Sequence, residues 1–210
     1  MWLGITAFVV LAIALASGSR NRTVLPDPPG KMTYVESPSE EGLLAITFSD
    51  LEAAFKKAEV VALVKADGEA GSHNMAVDPN EPSRPDPNIE VVGKDERLSI
   101  ERYFKGVGPD SILVTQPYQF IDHSVNVKSD YATYVPFSTG QRYLVFLRKS
   151  IDGSDRYVGA GEPWRFALTE GKAQVVTNIH SLATQFPGTL ETDVVTKLQD
   201  LGRNLDQQHP

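Results

Sequence analysis

Residues Arg97–Pro117, RLSIERYFKGVGPDSILVTQP, decide how the chain is read. Leu98, Ile100 and Phe104 fall on one face of an extended strand, and Ser99, Glu101, Tyr103 and Lys105 fall on the other. Arg102 alone interrupts the apolar side. Lys105–Asp110 supplies turn chemistry, because Gly106 and Gly108 tolerate positive φ and Pro109 fixes φ without needing a donor. Ile112–Thr115 is aliphatic or β-branched, as a returning strand requires. A lone hairpin is marginal in water, so this one predicts a sheet around it.

The flanking sequence supplies that sheet. In Phe48–Ala58, Ser49 and Glu52 form a capping box, and Leu51, Ala54, Phe55 and Ala58 make one apolar stripe on a short helix. Glu59–Ala66 (EVVALVKA) follows without a break and is too apolar to face water on either side, which predicts a central strand. Gln141–Arg148 (QRYLVFLR) has the same character. Ile89–Val92, Tyr157–Val158, Trp164–Thr169 and Ala173–Thr177 are shorter strands. Between them, Asp67–Asn88 and Tyr118–Gly140 read as long loops. Glu191–Leu201 reads as a closing helix with Gly202 as its C′ residue. No periodic helices separate the strands, which argues against a parallel doubly wound sheet. The expected fold is mainly β: a small antiparallel Greek-key (OB-like) barrel, with a sandwich as the alternative, one short helix before the first strand and a C-terminal helix.

Four segments follow. Residues 1–19 carry no charge, and Trp2–Ala16 is almost wholly apolar, which suits a signal peptide or an N-terminal membrane anchor. Ala14-Leu15-Ala16 fits a cleavage site, whereas Arg20 and Arg22 after the apolar run fit an uncleaved anchor. Residues 20–42 form a Pro/Ser-rich linker, 43–180 the barrel domain, and 181–210 the C-terminal helix and tail. The expected address is secreted or membrane-anchored, outside the cytoplasm.

Composition narrows the function. The 210 residues carry a formal charge of −7 with no Lys/Arg cluster, which argues against a nucleic-acid partner. The absence of cysteine removes disulfides, thiolate metal sites and cysteine nucleophiles. Gly159-Ala160-Gly161 lacks the third glycine of a dinucleotide loop, and no cofactor is expected. His73, His123, His180 and His209 are scattered, and His73 and His123 are expected to be exposed in polar loops. The repeated Asp78-Pro79-Asn80 and Asp86-Pro87-Asn88 raise the question of Ca²⁺, but the order fits no EF-hand and stiff extended backbone is the expected reading. No metal site is expected. Tyr118, Phe120, Tyr131, Tyr134 and Phe137 are more aromatics than one connection needs, and they either contact a peptide or glycan or form a lid on the barrel.

The order of parts carries a resemblance. Ala58–Val64, the strand end Arg102–Gly106, Ile112–Thr115, Gly140–Leu147, Gly159–Gly161 and Trp164–Leu168 succeed one another along the chain. Over Phe48–Val176 the sequence resembles the netrin-module, or tissue-inhibitor-of-metalloproteases-like, OB-fold domains of exported bacterial proteins. The resemblance implies the barrel and transfers no functional residue. The animal inhibitors chelate a protease zinc through an N-terminal cysteine, and this chain has none. The leading expectation is a non-enzymatic binding domain for a protein, peptide or glycan at the cell envelope. The alternatives are a secreted hydrolase using Asp122, His123 or Asp130, or a structural envelope component.

Overall fold

The pairing of the two most apolar segments organises the chain. In the computed structural model, β2 (Val60–Asn74) runs antiparallel to β6 (Arg142–Lys149), with Val61 opposite Phe146 and Leu63 opposite Leu144. The structure describes residues 33–34, 47–81, 84–152, 154–186 and 188–208. The expected leader or anchor therefore lies outside the described residues, as does the expected linker apart from Thr33–Tyr34. Those two residues form β1, paired in parallel with Val127–Lys128 of β5 (Val127–Asp130). No helix among the described residues is long and apolar enough to cross a membrane.

Val60–Val64 is buried throughout because each face of β2 meets a different apolar cluster. Val60, Ala62, Val64 and Ala66 join Leu98, Ile112, Val114, Tyr143, Val145, Leu147, Tyr157 and Trp164 on one side. Val61 and Leu63 join Phe55, Leu144, Phe146, Phe166, Val194 and Leu198 on the other, beneath α1 (Leu51–Lys57) and α3 (Glu191–Gln208). Each fully buried Val, Leu or Phe side chain contributes about 1.5–3 kcal/mol, which is why these runs are so apolar.

The sheet is mixed rather than purely antiparallel. Its order is β1-β5-β4-β3-β2-β6-β8-β9-β10, with β3 (Ile89–Lys105), β4 (Ser111–Asp122), β8 (Arg165–Thr169), β9 (Lys172–Val175) and β10 (Thr189–Leu190). β7 (Arg156–Gly159) lies off that path and pairs in parallel with β4 and antiparallel with β6. The pairings β2–β3–β4–β7–β6–β2 therefore form a cycle.

Several local expectations change. Asp67–Asn74 is not loop: β2 continues through it, with register shifts beside Gly68 and Gly71, whose φ values are 131° and 133°. Only glycine adopts such angles cheaply, so the polar arm coils without losing its ladder. Likewise Tyr118–Asp122 extends β4, and β5 returns along it. The quoted hairpin keeps its strands but not its simple alternation. Glu101 is skipped in the register between Leu63/Arg102 and Val64/Ile100. Beyond this bulge Tyr103, rather than Phe104, packs with Leu98 and Ile100, while Phe104 packs on the helix-covered side. The same shift leaves Arg102 exposed, over the Phe104 ring at 5.4 Å.

The helices also differ in detail. Asp50, not Ser49, caps α1, accepting from the Ala53 amide at 2.9 Å. α3 passes through Gly202, which is glycine because a Cβ there would lie 2.8 Å from the Phe104 carbonyl oxygen. α2 (His180–Gln185) has no counterpart in the sequence reading.

Candidate functional site

Of the expected aromatic loop Tyr118–Gly140, the first part belongs to β4 and β5, and the 131–140 segment lies across the sheet as a strap. Underlying side chains hold it by its backbone. Asn178 donates to the carbonyls of Ala132 and Tyr134 at 3.0 and 3.2 Å, and the Tyr143 hydroxyl accepts from the Ser138 amide at 2.9 Å. The Arg165 guanidinium donates to the Val135 carbonyl. The five aromatics divide between β4, which carries Tyr118 and Phe120, and the strap, which carries Tyr131, Tyr134 and Phe137. Phe137 turns inward, edge-on to Tyr143 at 4.9 Å and to Trp164 at 5.9 Å. Tyr134 meets Tyr118 of β4 edge-to-face at 5.0 Å, and the Lys94 ammonium sits 4.9 Å over the Tyr118 ring. Tyr131 and Phe120 are half-buried. The structure thus gathers Tyr118 and Tyr134 and gives Phe137 to the interior.

Beneath the strap lies Arg165, only 1% exposed. Its guanidinium carbon is 4.3, 4.9 and 6.0 Å from the ring centroids of Phe137, Trp164 and Tyr143. Rings attract the cation through their faces, but the N–H donors lie in the guanidinium plane and still need acceptors. Nε and Nη1 have none, and one carboxylate oxygen of nearby Glu96, Oε1, has no donor. Burial pushes the Arg165 guanidinium down to about 10 and the Glu162 carboxyl up to about 7, while the Arg165 charge pulls Glu162 back. Burial likewise raises the Glu96 carboxyl, opposed by a hydrogen bond from the Gly68 backbone and by Arg165.

A second polar cluster contrasts with the first. Asp95 of β3, 4% exposed, accepts from the Thr115 hydroxyl at 2.5 Å and from Arg156 Nε at 3.1 Å. His73 Nδ1 lies 3.1 Å from the same carboxylate, and its Nε2 is 3.7 Å from Asp152. His73 is therefore not an exposed loop histidine: it belongs to β2, its side chain is 18% exposed, and it lies between two carboxylates. The cluster ties β2, β3 and β4 to β7, where the cycle of pairings closes.

The other candidates do not converge. Asp122 accepts from the Ser124 hydroxyl and amide, which hold its carboxyl below the usual range. His123 faces Glu90 at 3.4 Å, and Asp130 accepts from Gln119 at 2.8 Å. Asp78 and Asp86 each close a turn on their own backbone, accepting from Asn80 and Asn88 at 2.8 Å. No three His, Asp or Glu side chains among the described residues are placed to hold a metal ion. A cavity of about 230 Å³ opens between α1, α2, α3 and the β8–β9 hairpin over Leu51, Phe166, Ala173 and Phe186. At its rim Gln185 donates to the Ser49 carbonyl and Ser49 donates to Asp50.

Sequence reasoning missed Arg165, Glu96 and Asp95. The one available signal was a charge between Trp164 and Phe166 in an otherwise apolar strand. Asp95 and Glu96 sit in a Lys-Asp-Glu-Arg run that reads as a solvated face. The chain matches no family model, and no curated protein is similar to it.

Proposed function

We propose that the chain is a non-enzymatic binding module of the cell envelope, built on an OB-like Greek-key barrel of the netrin-module kind. The cycle β2–β3–β4–β7–β6, with β4 parallel to β7 and the other pairs antiparallel, supports the barrel. The charge-free apolar run Trp2–Ala16 supports export, cleaved or anchored. The observation that carries the binding reading is the half-buried Tyr118–Tyr134 pair with Lys94 over one ring face. Rigid aromatics beside a cation present contact area at low conformational cost. By contrast, the groups a hydrolase would use, Asp122, His123 and Asp130, have separate partners.

The test uses the full chain in detergent micelles, presented separately with washed cell-wall material and with solubilised envelope proteins. The wild type is retained on one of them. The Tyr118→Ala/Tyr134→Ala double variant binds at least about tenfold more weakly at an unchanged melting temperature. Equal retention of wild type and double variant, or of neither, overturns the reading.

A further inference from the structure

The cavity between α1, α2, α3 and the β8–β9 hairpin shares no lining residue with the 131–140 strap. Its floor is apolar and already packed. Phe166, Ala173 and Val194 are buried, Phe166 meets Phe186 edge-to-face at 5.9 Å, and Leu51 adds to the floor from α1. The Gln185 bond to the Ser49 carbonyl, at 2.9 Å, ties α2 to the residues that lead into α1. The volume of about 230 Å³ sets the size of an occupant. An apolar cavity of about 150 Å³ takes a benzene ring, so this one takes a single ring or branched aliphatic group and a few atoms more. Opposite charges border it from two helices. The Ala53 amide and the Ser49 hydroxyl each bond one oxygen of Asp50, the cap of α1, and hold its carboxyl below the ordinary range. A carboxylate offers about four lone-pair sites, so each oxygen can accept once more. Lys197 of α3 lines the same cavity. Among the described residues it has no carboxylate within ion-pairing distance and no hydrogen-bond acceptor.

An occupant that suits this cavity carries an ammonium and a carboxylate on a small apolar body. A carboxylate alone would meet Lys197 but also face the Asp50 anion, and an amine alone would meet Asp50 but face Lys197. An α-amino acid with an apolar side chain places both groups on one carbon, beside an apolar body of the size the cavity accepts. Within a peptide the two groups of one residue are not both free. We propose that this cavity binds a free apolar α-amino acid, its side chain over Leu51, Phe166 and Phe186, its carboxylate on Lys197 and its ammonium on Asp50. The site uses none of the residues of the Tyr118–Tyr134 reading and stands independently of it. Charge-assisted bonds at both ends select the amino-acid head group. The apolar floor discriminates weakly between side chains that differ by a methylene or two, so leucine and phenylalanine are both accepted.

The experiment uses the full chain in lipid nanodiscs and calorimetric titration with three molecules built on one phenyl ring. These are L-phenylalanine, 3-phenylpropionate, which lacks the ammonium, and phenethylamine, which lacks the carboxylate. L-phenylalanine binds saturably and at least about tenfold more tightly than either analogue. Asp50→Asn keeps a good helix cap and removes the charge, so it erases the preference for L-phenylalanine over 3-phenylpropionate. Lys197→Gln erases the preference over phenethylamine. Because Lys197 makes no hydrogen bond among the described residues, that variant melts as the wild type does without ligand. Where Asp50→Asn fails to fold, Lys197→Gln decides. No saturable binding of L-phenylalanine or of L-leucine overturns the proposal. Either analogue binding as tightly as L-phenylalanine overturns it too, since the cavity would then read only one charge or none. Binding indifferent to either substitution overturns it equally, by placing the ligand elsewhere. Capture of envelope material through Tyr118 and Tyr134 is untouched by any of these results.

Discussion

Asp95 and Arg165 are both buried charges, 4% and 1% exposed, yet their surroundings differ in kind. Asp95 receives a hydroxyl, a guanidinium and an imidazole, drawn from β4, β7 and β2. Arg165 is stacked among three rings but gives one hydrogen bond, to a carbonyl of the strap. Full pairing of Asp95 makes it a fastening between strands distant in sequence. Partial pairing of Arg165, whose Nε and Nη1 have no acceptor, leaves it held by the rings around it rather than by hydrogen bonds. Burial alone therefore does not separate a charge that fastens strands together from one held chiefly by stacking; the number of partners does.

The sharpest way to break this contrast is Asp95→Ala. Removing one member of a buried charged set strands the others, and here Arg156 and Thr115 lose their shared acceptor. A loss of about 3 kcal/mol in unfolding free energy is expected from urea denaturation, moderated by the 30% exposure of the Arg156 side chain. Because Asp95 lies where β7 closes on β4, the loss should also raise amide exchange in β7. A cost below about 1 kcal/mol would show that Asp95 is no fastening.

Glu162 provides the next largest effect, through pH. Its carboxyl is pushed from about 4.5 up to about 7 by burial, so the folded state holds the proton more tightly than the unfolded chain. This contribution is fully present below about pH 4.5 and is lost as pH rises through about 7. By linkage it is on the order of 3 kcal/mol across that window. Stability measured between those limits should fall with rising pH in the wild type. Glu162→Gln, which stays neutral, should remove that part of the slope. A slope unchanged by Glu162→Gln would assign the pH dependence elsewhere.

The same distinction explains what could be read without coordinates. Val60–Val64 and Tyr143–Leu147 were legible because every residue in them is buried, so periodicity and composition agree. Beyond Ala66 the strand continues with glycine-marked bulges and half-exposed polar residues, and such a sequence is indistinguishable from a loop. The bulge at Glu101 reversed the facing of Tyr103 and Phe104, an outcome set by the partner strand rather than by the local pattern. Gly202 resembled a helix stop, although its role is to let α3 approach the Phe104 carbonyl. The density of rings marked Tyr118–Gly140 as one loop, yet Tyr118 and Phe120 belong to β4 and only 131–140 forms the strap. Asp95 was not, since its partners His73, Thr115 and Arg156 are contributed by three other strands and only the closure of β7 on β4 brings them to one place.

Arg165→Met should have the smallest effect on stability and the most informative one on pH. Methionine keeps the apolar contact with Phe137 and Trp164 and has no in-plane donors to leave unpaired. The bond to Val135 is lost, but so is the burial of a charge whose Nε and Nη1 are unsatisfied. These terms oppose each other, and replacing an incompletely paired buried ion by an apolar side chain is often neutral, so a change within about 1 kcal/mol is expected. The Arg165 charge also holds the Glu162 carboxyl down. Without it that carboxyl rises above about 7, so the fall of stability with pH, still beginning near pH 4.5, extends to higher pH and becomes larger. A large loss of stability in Arg165→Met, with the pH curve unmoved, would place Arg165 with Asp95 as a second fastening and erase the contrast between them.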